Sequence, residues 1–152
     1  MSHVTTVDIE IKDLGALAEA AEQCGCELVE GVTKYKWYGR HMGDYALPAG
    51  FTKEQLGKCD HIIRVKGADK RTYEIGVVER DGQYVLLFDF WQKGYGLMKK
   101  VCHADDKKLQ VPEKLMQEYA AAVAIKKLKR QGRRVTRKVG EDGRIKLVAK
   151  GR

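Results

Sequence analysis

The residues best suited to chemistry in this chain are its four cysteines and the histidines beside two of them. Cys24-x-Cys26, Cys59-x-His61 and Cys102-His103 bring thiols and imidazoles close in sequence. They supply ligands enough for zinc, but a structural zinc site is ordinarily built on paired knuckles of the C-x2-4-C kind. Here the first pair is C-x-C, and Cys24 also fits an apolar helical stripe. Buried, inert thiols are therefore expected, and no metal. A nucleophile at Cys59 or Cys102 would need a thiolate, a base within hydrogen-bond reach and an oxyanion donor. Sequence neighbours on a strand point to opposite faces, and no orienting signature surrounds either pair. No catalytic residue is expected. Gly94-x-Gly96 follows a strand, but the further glycines and the immediate helix of a phosphate-cradling loop are missing from the pattern. No cofactor is implied.

Two other groups of residues are suited to binding. Lys34, Tyr35, Lys36 and Trp37, followed by Tyr38 and Arg40, interleave basic and aromatic side chains. Such a strand could stack bases and neutralise phosphates, as sheet platforms do with single-stranded RNA. The competing expectation is that Tyr35 and Trp37 share one face and pack in the core. Arg133, Arg134, Arg137, Lys138, Arg144 and Lys146 form the second group, near the C-terminus. If both groups shared one surface, RNA binding would gain support.

The charge is polarised. The net charge is +8, yet residues 126–152 carry twelve Lys or Arg against only Glu141 and Asp142. The rest of the chain is close to neutral. This asymmetry favours an anionic partner at the C-terminal end, or else a solvated basic face that maintains solubility. A length of 152 residues, with 43% hydrophobic and 33% charged side chains, fits one globular domain, residues 1–152. The longest apolar run, residues 119–125, is too short to span a bilayer, and residues 1–13 lack the features of a signal peptide. A cytoplasmic protein with free thiols is expected.

The elements that must position these residues follow from periodicity. Residues 5–12 alternate, with Val7, Ile9 and Ile11 on one face, as in a half-buried strand. Asp13 suits the N-cap of an amphipathic helix over residues 14–24, and Gly25 suits its end. Short strands are expected at 27–30 and 33–38, with a loop over 39–50 that contains three glycines and Pro48. Thr52 and Gln55 have capping-box spacing. Strands follow at 61–66, 72–80 and 84–91, the last two joined by the tight-turn pair Asp81-Gly82. The strand at 84–91 is apolar on both faces and belongs inside the sheet. Residues 92–110 read as a long polar connection of the functional or mobile kind. Pro112 opens a helix running to about residue 130, whose small-sided apolar centre can lie close against the sheet. A second hairpin closes the chain, turning at Glu141-Asp142-Gly143. Val135, Val139, Ile145 and Leu147 can face inward, with Arg134, Lys138, Arg144, Lys146 and Lys150 opposite. The fold class is α+β: a mainly antiparallel sheet, two principal helices on one face, and a C-terminal β-hairpin.

Several fragments, in order, carry a family resemblance. They are Met1-Ser2-His3, Tyr73-Glu74-Ile75-Gly76, Asp89-Phe90-Trp91, Tyr119-Ala120, Gln131-Gly132 and the run from Asp142-Gly143-Arg144 to Val148. The chain thereby resembles the Ycf thirty-five family, a domain of unknown function (DUF twelve-fifty-seven). It departs from the family in having Val4 in place of the usual aromatic and a longer, more polar stretch at 39–59. The resemblance carries no catalytic residues. Through gene surroundings it implies association with an AAA-type ATPase and a small partner protein. The leading expectation is therefore a non-catalytic adaptor, and the alternative is an RNA- or single-strand-binding protein that uses the basic hairpin.

Overall fold

The computed structural model describes residues 4–6, 10–41, 43, 46–103, 112–141 and 143–151. The expected alternation at Val7 and Ile9, the fragment Met1-Ser2-His3, the end of the 92–110 connection and Asp142 lie outside them.

Five antiparallel strands form the main sheet: β1 (Val4–Thr6), β2 (Cys26–Glu30), β3 (His61–Val65), β4 (Ile75–Arg80) and β5 (Gln83–Asp89). Their order is β1-β5-β4-β3-β2. Asp81 and Gly82 make the β4–β5 turn with φ of 51° and 77°, a left-handed pair that matches the twist of a tight hairpin. β5 lies between β1 and β4, as its two apolar faces require.

Alternation along the strands gives the sheet two buried faces. Ile63, Ile75, Val77, Leu86 and Phe88 point to one side, where α1 (Leu14–Gln23), α2 (Leu97–Val101) and α3 (Glu113–Arg130) complete the larger core. Asp13 caps α1, its Oδ1 accepting the Ala16 N–H at 2.9 Å. Tyr119 of α3 accepts the N–H groups of Lys12 and Asp13 through its hydroxyl, at 3.0 and 3.2 Å. Lys126 of α3 pairs with the Asp13 carboxylate at 3.0 Å. These bonds lock the two principal helices together. The small-sided centre of α3 packs chiefly on α1, and not on the sheet as its composition suggests. On the other side Ile62 and Leu87 meet Tyr35, Phe51, Leu56 and Cys59, so the segments 31–40 and 50–60 form a second cover.

Three expectations are corrected. Residues 33–38 form no strand: Lys34 makes one isolated bridge with Lys58, and the segment crosses the sheet as cover. β4 begins only at Ile75, and β5 ends at Asp89, so Thr72, Tyr73 and Phe90 belong to loops and Trp91 opens a short turn of tight helical type, Trp91–Gly96. The polar connection contains a buried helix: Leu97, Met98 and Val101 of α2 are fully enclosed. α2 also begins directly after Gly96, where no helix was expected.

The last two strands, β6 (Arg134–Val139) and β7 (Ile145–Lys150), form a separate two-stranded sheet packed on α3. An isolated hairpin is marginal in water, so this docking is what sustains it.

Candidate functional site

The hairpin register sorts its side chains by face. Val135, Arg137 and Val139 lie opposite Ala149, Leu147 and Ile145, while Arg134, Thr136 and Lys138 lie opposite Lys150, Val148 and Lys146. The outer face thus opposes two like-charge pairs, Arg134 with Lys150 and Lys138 with Lys146. All four cations are exposed, and none has an acidic partner among the described residues. Arg133 is exposed beside them, after a helix end that already exposes Lys127, Lys129 and Arg130. Like charges set directly opposite each other are destabilising, by about 0.2–1 kcal/mol in typical pairs. Arg144 is also exposed, at the head of β7.

Arg137 differs from these. It sits on the inner face and pairs with Glu118 of α3, which is only 6% exposed. It is a fastening between helix and hairpin.

The basic and aromatic segment is divided between two roles. Tyr35 is 4% exposed, and its ring lies against Gly76, where an added Cβ would come within 2.3 Å of Cδ1. Burial raises its phenol well above the ordinary range, with the nearby Gly57 amide working against the shift, and Oη makes no hydrogen bond of good geometry among the described residues. This ring is core and is not available to stack a base. Trp37 is half-buried, its indole lying over Gly57. Lys34 and Lys36 are exposed. The segment covers the sheet face opposite the helices, whereas the hairpin docks on α3, so the two basic groups do not form one surface.

Sequence spacing did not reveal how Lys36 and Trp37 are positioned. Asp89, fully buried at the end of β5, accepts the Tyr38 N–H at 3.0 Å and the Trp91 N–H at 2.9 Å. It thereby ties the 31–40 cover to the turn that follows β5. In that turn Gln92, Lys93, Gly94 and Tyr95 all have positive φ, between 50° and 63°. A left-handed backbone costs about 1–2 kcal/mol for each non-glycine residue, so tertiary bonds must hold it. The Gly94 carbonyl accepts the Tyr73 N–H at 2.9 Å, and the Tyr95 carbonyl accepts the Thr72 hydroxyl at 3.0 Å. Tyr95 and Tyr73 consequently meet edge to face, with ring centroids 5.2 Å apart. The available signal was the family fragment Asp89-Phe90-Trp91, which supplies the buried carboxylate.

All four cysteines are buried and free. Burial raises the thiol of Cys24 to about 12 and those of Cys26 and Cys59 to about 11, so none of these three carries thiolate near neutrality. The Cys59 thiol donates to the Val32 carbonyl at 3.2 Å. His61 accepts the Gly31 N–H through Nδ1 at 3.2 Å. Among the described residues no cluster of three or more His, Cys, Asp or Glu is arranged to hold a metal. No helix among them is long and apolar enough to cross a membrane.

Neither a curated protein nor a solved structure matches the chain. A family model described as a protein of unknown function (DUF1257) matches residues 46–148, from the second cover to the last strand. That stretch includes α2, α3, the left-handed turn and nearly all of the hairpin, and the chain belongs to the DUF1257 family.

Proposed function

We propose that this chain is a non-catalytic binding protein that presents its C-terminal hairpin to an acidic partner. The partner class is the one that the family resemblance implies, an AAA-type ATPase assembly with its small companion protein. The observation that carries this reading is the pair of unrelieved cation oppositions, Arg134 with Lys150 and Lys138 with Lys146. An acidic surface laid on that face removes the repulsion and gains charge-assisted contacts. Binding is therefore favoured relative to the free state. The outer face contains no aromatic side chain between its cations, only Thr136 and Val148. This suits a protein surface better than a platform that stacks bases.

The test is co-purification with tagged full-length chain from the native host, with nuclease present, followed by mass spectrometry. The comparison is with Arg134, Lys138, Lys146 and Lys150 all changed to Ala. The expected result is an ATPase recovered with the wild type, weakened by salt and lost from the variant. Recovery of no ATPase, together with turnover of a small molecule, would favour an enzyme. Tight binding of labelled RNA that the same substitutions abolish would replace the proposal with the nucleic-acid reading.

A further inference from the structure

At one end of the sheet three loops converge on an open groove of about 450 Å³. The 31–40 cover contributes Lys36 and Trp37, the loop before β4 contributes Lys70, Arg71 and Tyr73, and the left-handed turn contributes Tyr95. The groove combines a flat apolar surface with positive charge. Tyr95 is 42% exposed and is braced edge-on by Tyr73, while Trp37 stands half-exposed beside them. Lys36 and Lys70 are exposed; Lys36 lies within electrostatic reach of Asp69, and its backbone N–H donates to the Glu74 carboxylate at 3.0 Å, while Lys70 makes no ion pair among the described residues. Asp69 accepts the Arg71 N–H at 2.8 Å and pairs with its guanidinium at 3.5 Å in the open, which leaves the three cations in excess of this one carboxylate on the groove side.

We propose that this groove binds a mononucleotide, its base against Tyr95 and Trp37 and its phosphate at Lys36, Lys70 and Arg71. The volume lies within the range of small-ligand sites and is enough for one nucleotide. Aromatic faces accept any base, and a cation trio suits a phosphate. The neighbouring cavity, about 270 Å³, is flanked by Glu27, Asp69 and Glu74. Those carboxylates oppose a phosphodiester chain continuing in that direction, which favours a free nucleotide over a strand. The groove shares no residue with the outer hairpin face, so a ligand in one leaves the other open.

The test is isothermal titration of the full chain with AMP and CMP, with adenosine and inorganic phosphate as partial ligands. Intrinsic fluorescence follows Trp37, one of only two tryptophans. The nucleotides are expected to bind saturably and to quench the indole, with adenosine and phosphate each at least about tenfold weaker. Tyr95→Ala is expected to weaken binding by about tenfold, whereas Tyr95→Phe, which keeps the ring and the fold, leaves it unchanged. Lys36→Ala with Lys70→Ala reduces AMP to the level of adenosine. The variant lacking four hairpin cations binds AMP like the wild type. No saturable nucleotide binding at millimolar concentration would overturn the proposal. So would equal binding by phosphate alone, or binding confined to RNA oligonucleotides.

Discussion

Glu118 on α3 and Arg137 on β6 meet as a two-point ion pair, Nη1 to Oε2 at 2.5 Å and Nη2 to Oε1 at 2.7 Å. This pair connects the hairpin to the helical layer at a place where apolar packing is thin. Val139 is 59% exposed, and no residue of β6 or β7 is buried. Arg137→Ala leaves the Glu118 carboxylate enclosed without its partner. The expected loss is about 2–3 kcal/mol, below the full range for a buried pair because the guanidinium is partly exposed. Urea unfolding gives the magnitude, and limited proteolysis between residues 131 and 150 shows whether the hairpin detaches first. Unchanged stability and protection would mean that Val135 and Leu147 hold the hairpin unaided.

The opposition of Lys138 and Lys146 makes a prediction of unusual sign. Lys138→Glu turns a repulsive cross-strand pair into an attractive one and should stabilise the chain by about 0.5 kcal/mol. The same change should abolish capture of the acidic partner. A stability gain with binding lost is the pattern expected of a surface retained for function. Differential scanning calorimetry alongside the pull-down checks both halves. Greater stability with capture intact would separate the charge pattern from the function.

Asp13 gives a pH dependence. Its hydrogen bond from the Ala16 amide, helped by Lys126, holds its carboxyl below the ordinary aspartate value. A depressed folded value means that the cap contributes above the unfolded value, near pH 4, and is lost as pH falls through the folded one. Asp13→Ala should therefore cost about 1 kcal/mol at pH 6. The gap between variant and wild type should narrow as the solution is acidified below about pH 4. Urea midpoints at pH 6 and pH 3 decide it, and a gap that widens in acid would contradict the assignment.

The parts of the fold legible in sequence were those set by local rules. Asp13 read as a cap because its side chain serves the turn it begins, and Asp81-Gly82 read as a hairpin because its dihedrals are the turn's own. Hairpin alternation separated Val135 from Arg134 correctly for the same reason. Long-range bonds override such rules elsewhere. Residues 33–38 alternate like a strand, yet Tyr35 donates its N–H to Gly57 and Lys36 accepts from Glu74, which fixes them as a cover. The α2 helix was hidden because Leu97, Met98 and Val101 sit within a charged stretch and fill little more than one turn. The groove draws on three loops and a left-handed backbone, and no spacing in the chain encodes that convergence. Strand parity sets Arg137 on the inward face with Val135 and Val139, but nothing local to the hairpin shows the Glu118 carboxylate that waits beneath it.

The contact between Tyr35 and Gly76 lets two substitutions move stability in opposite directions. Gly76 lies on β4 directly beneath the Tyr35 ring, where a methyl group would sit 2.3 Å from Cδ1 and 2.6 Å from Cε1. Gly76→Ala must push the ring out of its place between the sheet and Cys59, at a cost of about 1–3 kcal/mol for an overpacked core. Because Tyr35 adjoins Lys36 and Trp37, the same shift should weaken AMP binding in the groove. Tyr35→Phe removes only the buried hydroxyl, which makes no hydrogen bond of good geometry among the described residues. Deleting a polar atom that only the poorly aligned Gly57 amide approaches spares most of its desolvation penalty, so this variant should be more stable by up to about 1 kcal/mol. Urea unfolding of both variants, with AMP titration of each, tests the pair. A destabilised Tyr35→Phe would show that the hydroxyl is satisfied in solution. A Gly76→Ala variant as stable as the wild type would show that the cover yields without strain, and Tyr35 would then not be the fixed floor from which Lys36 and Trp37 are positioned.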